Sequence, residues 1–295
     1  MKTSLTTFEN RIRNWLLDLL HSQWRELGVP FSTSLPHRAD EVIDPEALLW
    51  CSWEFLPHQP RLREQVLCWL AANAQSILWP RIRKLARKKP DPKVEIWCAL
   101  DLKSEPSADE PSDFAHNLAE SRSAGKEILQ QPGLRQRTPA TVILQARDVL
   151  GADARHFILV YLLANPGGAR LRTIAEWSGQ SYRNISRVAA RWESAGIITV
   201  DRGYANLKSP KRWTSILELK SPRIILINWV RLFDTVITLL RDLAKASARS
   251  IPPDGPVVAA ILREAATATD TCIEGDALAR SATVDDLQHI LTNVS

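Results

Sequence analysis

Residues 171–200 read LRTIAEWSGQSYRNISRVAARWESAGIITV. Leu171, Ile174 and Ala175 recur at helical spacing, so a short helix is expected from Leu171 to Trp177 with those three inward. Ser178-Gly179-Gln180 makes a tight turn of the kind that joins two helices at a steep angle. Ser181 can cap the next helix, which runs to about Ser194 and turns Ile185, Val188, Ala189 and Trp192 inward. Its opposite face carries Tyr182, Arg183, Asn184, Ser186, Arg187 and Arg191. Arg matches the two acceptors on a guanine edge, Asn can pair with adenine, and Ser or Tyr can reach phosphates. These residues cluster toward the helix N-terminus, the end a recognition helix presents to bases.

The flanks continue the pattern. Phe157, Ile158, Tyr161 and Leu162 give a preceding helix one buried face, and Asn165-Pro166-Gly167-Gly168 is a turn. Gly196 suits a helix C-cap, and Ile197 to Val200 is a β-branched run that reads as a strand. Asp201 to Asn206 reads as a turn containing Arg202, followed by Lys208, Lys211 and Arg212. Trp213 to Leu217 is expected to pair back as the second strand, making a two-stranded hairpin with a basic tip.

The helix at 157–164, the I-A-x-W-S-G helix from Ile174, the S-Y-R-N-I-S-R-V helix from Ser181 and the A-G-I-I-x-V strand from Ala195 resemble the winged helix-turn-helix superfamily of bacterial transcriptional regulators, as in MarR- and ArsR-like proteins. The family's "L-x-x-x-G-hydrophobic" step has its counterpart in Trp192 to Ile197. The likeness covers residues 153–216 of 295. It implies sequence-specific binding of double-stranded DNA, in a transcriptional regulator that performs no catalysis. Ser181, Tyr182, Arg183, Asn184, Ser186, Arg187, Arg191, Arg202, Lys208, Lys211 and Arg212 are the candidate DNA-binding residues. It also implies a homodimer reading two half-sites.

Around this segment the expected fold is mainly α. A helical domain spans residues 1–100, a linker with a short helix spans 101–136, the winged helix domain spans 137–216, and a helical region spans 217–295. In the first, helices are expected at 6–27, from the Asp44-Pro45 start to about Pro57, from Pro60, and from Ser76 to Lys88. In the last, an apolar helix from Ile224 to Leu243 is either the centre of the domain or the surface that pairs with a second copy. The 11 Trp residues lie mostly in helical patterns and read as packing residues.

The net charge of +5 is uneven. Residues 155–212 hold ten Arg or Lys against three acids, and residues 81–93 hold seven against one. The second patch is either another phosphate-contacting surface or a solvated helix end. The cysteines Cys51, Cys68, Cys98 and Cys272 have no metal-ligand spacing, and the six histidines are scattered. No H-E-x-x-H, G-x-S-x-G or Gly-rich phosphate loop occurs, so no enzyme, metal or cofactor is expected. Asp285 and Asp286 are expected to cap a C-terminal helix. No apolar run is long enough to span a membrane and no signal peptide is evident, so the expected location is cytoplasmic. The Trp-rich N-terminal unit motivates an alternative: a protein-interaction or antitoxin-like subunit of a larger assembly, with the winged helix as scaffold.

Overall fold

The computed structural model describes residues 4–35, 39–53, 55, 59–87, 137–219, 223–253, 255–274 and 281–292. The expected linker and helix at 101–136, and Lys88, Lys89 and Cys98, lie outside the described residues. The chain is mainly helical, with a small three-stranded antiparallel sheet. Among the described residues no helix is long and apolar enough to cross a membrane.

Four helices open the chain: α1 Leu5–Glu26, α2 Pro45–Ser52, α3 Pro60–Asn73 and α4 Trp79–Ala86. Asp44 caps α2 as its position beside Pro45 suggests, accepting from the Glu46 and Ala47 N–H groups at 3.1 Å each. The helix expected over 76–88 is shorter. Pro80 lacks an N–H and is tolerated only in a first turn, so α4 starts at Trp79, and residues 74–76 form a separate 3-10 turn.

The middle of the chain forms α5 Val142–Leu150, α6 Ala154–Ala164, β1 Ala169–Arg170, α7 Leu171–Ser178, α8 Tyr182–Ser194, β2 Ile198–Asp201, β3 Tyr204–Leu207 and α9 Pro210–Ile216. The last part forms β4 Leu226–Ile227, α10 Trp229–Ala248, α11 Pro256–Asp270, β5 Ile273–Glu274 and α12 Ala282–Thr292. Residues 224–227 therefore lie outside the helix expected from Ile224. The β-branched run is extended, β4 pairs with β5, and the Asn228 side chain caps α10 by accepting from the Arg231 N–H at 3.1 Å. At α12 the cap is Ser281, whose hydroxyl accepts from the Val284 N–H, while Asp285 sits in the first turn.

Two hydrophobic cores result. The first combines α1–α4 with α10–α12 and contains the fully buried Trp24, Trp50, Trp229 and Phe233. Leu232, Phe233, Val236 and Leu243 of α10 face this core, so the apolar helix is its centre and a second copy would have to dock elsewhere. The second core is built from α5–α8 and the three-stranded sheet. No Trp is exposed among the described residues. The Trp24 indole donates to Ser52 Oγ at 2.9 Å and that of Trp69 to the Leu27 carbonyl at 3.0 Å, as packing residues with a polar edge do.

The cores meet at a seam, residues 39–44. Here the Val42 N–H donates to the Ile225 carbonyl and the Ile43 N–H to the Ala140 carbonyl, both at 2.9 Å. Extended backbone alternates its side chains, so Val42 enters the second core and Ile43 the first. The buried Glu41 carboxylate accepts from Ser281 Oγ at 2.8 Å and from the Thr283 N–H at 3.0 Å, holding the start of α12.

A buried ionic cluster crosses the same boundary. Arg147 of α5 forks onto both oxygens of Glu46, at 2.7 and 2.8 Å, and donates to the Ser76 carbonyl at 2.6 Å. Arg81 of α4 donates to Glu46 at 3.1 Å and chelates Asp44 with its two terminal nitrogens. Arg147 Nε also donates to His156 Nε2 of α6 at 3.1 Å, which requires an unprotonated Nε2 and a neutral ring. Both guanidinium groups lie over the Phe157 ring, 5.4 and 5.8 Å from its centre. Burial pushes the Glu46 carboxyl up, but the Arg147 and Arg81 charges and the hydrogen bonds from Arg147 and the Leu78 N–H outweigh it and hold the pKa at about 2. Burial, reinforced by the Arg147 charge, pushes His156 well below its ordinary 6.5.

Glu46→Gln is therefore expected to destabilise the fold by about 3–5 kcal/mol, the cost of breaking a buried pair from one side, measured by urea unfolding. The pH dependence follows from both shifts. Unfolded His156 binds a proton below its ordinary 6.5 and the folded ring does not, so stability falls as pH drops through that value. The stability owed to Glu46 is complete above its ordinary 4.5 and is lost as pH falls toward about 2. His156→Gln should make the limb just below pH 6.5 shallower and leave the more acidic limb in place; an unchanged upper limb would remove His156 from the account.

Candidate nucleic-acid interface

Asp153 caps α6 by accepting from the Arg155 N–H at 2.8 Å, and α6 is buried along most of its length. Its chain then turns at Asn165–Gly168 into β1. Gly168 has φ +88, and a Cβ there would lie 2.1 Å from Asn206 Oδ1 and 2.6 Å from the Ala205 carbonyl oxygen. Only glycine lets β1 approach β3 this closely. The strands order β1-β3-β2, with Ala169 opposite Ala205 and Val200 opposite Ala205 on its other side.

α7 ends at Gly179 in the left-handed conformation, φ +67, and Ser178 Oγ donates to the Ile174 carbonyl at 2.7 Å. Ser181 caps α8 as expected, accepting from the Asn184 N–H at 3.2 Å. Ile185, Ala189 and Trp192 are buried against α6 and α7, and Val188 is half-buried. The other side of α8 exposes Ser181, Tyr182, Arg183, Arg187 and Arg191, with Asn184 and Ser186 half-buried. Arg183 and Arg191 make no ion pair with a described residue. Asn184 is already engaged: its amide donates to Gln180 Oε1 at 3.3 Å, and its Oδ1 accepts from Arg187 at 3.0 Å. Its role in the free protein is thus to orient Arg187.

The hairpin differs from the expected one. Its second strand is Tyr204–Leu207, and Trp213–Leu217 does not pair with β2. The connection is two residues, Arg202 and Gly203, with φ +48 and +80. Positive φ at both positions matches the twist of the flanking strands and lets the chain reverse at once. Tyr204 to Leu207 then alternates, with Ala205 buried and Tyr204 exposed. Pro210 starts α9, from which Trp213 stacks on Trp192 at 6.3 Å. The Tyr204 hydroxyl lies 3.2 and 3.1 Å from the Gly167 and Gly168 carbonyl oxygens, and Glu193 Oε1 accepts from the Val200 N–H at 3.0 Å. These bonds fix the hairpin to α8 and to the turn before β1.

The site residues therefore fall in two groups. Arg202 stands at the hairpin tip, where the Tyr182 hydroxyl is 4.0 Å from the position a Gly203 Cβ would take, so the tip and the N-terminal end of α8 adjoin. Lys208 is at the opposite end, its N–H bonded to the Ile197 carbonyl at 3.0 Å and its ammonium near Gly196. Lys211 and Arg212 are exposed on α9, not at a hairpin tip. The basic tip expected from four cations thus holds one.

The second basic stretch reaches the site by a contact that its local sequence does not report. Lys84 of α4 donates to the Gly179 carbonyl at 2.9 Å, bringing α4 against the turn between α7 and α8. No local signal reports a contact between residues 95 positions apart.

Among the described residues no group of three or more His, Cys, Asp or Glu side chains is arranged to hold a metal ion. Comparison with protein-family models, with curated proteins and with solved structures returns no match for this chain.

Gly168→Ala is expected to destabilise the protein by more than the roughly 1–3 kcal/mol of backbone strain, because the new methyl also meets the β3 backbone. Gly167→Ala, where a Cβ meets nothing within 4 Å, is the control and should unfold at nearly the wild-type urea concentration.

Proposed function

We propose that residues 153–216 are a winged helix-turn-helix that binds double-stranded DNA, with α8 as the recognition helix and the β2–β3 hairpin as the wing. The observation that carries this reading is the exposed cationic face of α8, with Arg183, Arg187 and Arg191, beside a hairpin whose tip adjoins the same helix end. Arg183 and Arg187 are suited to base edges in the major groove, with Arg187 held in position by Asn184. Ser181 and Tyr182 are suited to the adjacent phosphates. Lys208, Lys211 and Arg212 would meet backbone beyond the other end of α8. The reading extends to a sequence-specific regulator of transcription, as the resemblance implies.

The wing tip adds a second argument. Left-handed backbone costs a non-glycine residue about 1–2 kcal/mol, and Asn or Gly would normally fill the first position of such a turn. Arg202 occupies it instead and is exposed. A cation at a strained tip position supports a reading in which the tip meets a polyanion.

The test is fluorescence anisotropy of the full chain with mixed-sequence duplex DNA at two salt concentrations. Wild type should bind with affinity that falls steeply as salt rises, the logarithmic slope being about −0.9 per neutralised phosphate. Arg187→Ala should cost about 1–3 kcal/mol if it pairs bidentately with a base, and the Arg183→Ala/Arg187→Ala protein should bind far more weakly. Absence of wild-type binding at low salt would sink the reading. Arg202→Asn should split two properties: a gain of about 0.5 kcal/mol in stability from the relaxed turn, and weaker duplex binding.

A further inference from the structure

The cationic surface does not end at residues 153–216. In α4, Arg81, Ile82 and Leu85 are buried, while Arg83 and Lys84, and Arg87 at the C-cap, are exposed. One helix thus presents two kinds of Arg: Arg81 is neutralised in the ionic cluster, whereas Arg83 and Arg87 make no ion pair with a described residue. Lys84 donates to the Gly179 carbonyl, a neutral dipole, and makes no ion pair with a described residue. The Arg81 Nε lies 3.7 Å from where a Gly179 Cβ would be, so two residues one turn apart on α4 meet this turn. Gly179 is two residues from the Ser181 cap of α8. The N-terminal end of α8 is therefore adjoined both by the hairpin tip that carries Arg202 and, through Lys84 and the Gly179 turn, by α4.

We propose that Arg83, Lys84 and Arg87 contact the phosphate backbone of the duplex beside the recognition helix, so that the N-terminal helices extend the DNA footprint. This inference rests on the DNA-binding reading above. Phosphate is the chemistry that suits the site: three exposed cations, Arg83 and Lys84 in the last turn of α4 and Arg87 at its C-cap, all of them donors only, with no aromatic ring among them to stack on a base. Their position is fixed rather than free. Arg81 is bonded to Asp44 and Glu46, which pins α4 to α2, and Lys84 pins it to the turn. A ledge held this way meets the backbone with little ordering cost.

The experiment compares full-length wild type, Arg83→Gln/Arg87→Gln and Arg83→Lys/Arg87→Lys on the same mixed-sequence duplex, by anisotropy across a salt series. The Gln protein should bind more weakly at low salt, with a slope shallower by about 0.9 per cation removed, roughly 1.8 in all. Its ranking of different duplex sequences should be unchanged, because phosphates carry no sequence information. The Lys protein, which keeps both charges, should restore the slope. If wild type binds, Arg183→Ala/Arg187→Ala abolishes binding, and the Gln protein keeps the wild-type slope, the ledge is overturned and the winged-helix reading stands. A Lys protein as impaired as the Gln protein would also overturn it, by tracing the loss to packing rather than charge. If wild type itself does not bind, both proposals fall together.

Discussion

The Glu46 carboxylate is the point on which the arrangement turns. It is fully buried, and an isolated buried carboxylate would cost several kcal/mol in lost hydration. It survives because each oxygen is bonded: two guanidinium groups and the Leu78 N–H converge on it. Those partners come from α4, α5 and the turn before α4, while Asp44 beside it completes the pairing of Arg81. Such a cluster tolerates little displacement, since moving any one helix leaves a charge buried without its partner. Directionality is what it contributes. Apolar contacts between the two cores would allow sliding, but forked Arg–carboxylate bonds fix distance and angle together.

That constraint reaches the exposed cationic face of α8 through short paths. Arg81 anchors α4, and three residues later Lys84 meets the Gly179 carbonyl at the turn that sets the angle of α8. Arg147 reaches His156 on α6, against which α8 packs. The seam at residues 39–44 works alongside, its alternation of Val42 and Ile43 giving each core one side chain from a single extended segment. The candidate recognition helix is therefore supported from behind by its own core and from the side by the N-terminal helices.

Much of the local structure is legible in the sequence. The Asp44-Pro45 start, the Ser181 cap, the Gly179 turn and the inward set Ile185, Ala189 and Trp192 rest on interactions within about a turn of helix, which residue type and spacing encode directly. The hairpin is less legible, because choosing Tyr204–Leu207 over Trp213–Leu217 means accepting Arg202 in a backbone conformation that Arg rarely adopts. The basic stretch from Arg81 is illegible for a different reason. Arg81 and Arg83 look alike in sequence, yet one is buried among acids more than thirty positions away and the other is exposed. The same holds for Arg147, whose partner Glu46 lies 101 residues earlier. Charge reads as surface until a distant opposite charge claims it.

The shared first core has a consequence for synthesis. Leu16, Trp24 and Trp50 belong to a core completed by Leu232, Phe233, Val236 and Leu287, so the opening helices leave the ribosome long before the rest of that core is made. At about 5–20 residues per second, the interval between Ala86 and Leu291 is roughly 10–40 s. Residues 142–217, by contrast, supply nearly all of the second core from one contiguous stretch. The half that carries α8 and the hairpin can thus fold as it emerges, while the tryptophan-rich opening waits with apolar surface uncovered, the state in which nascent chains recruit chaperones.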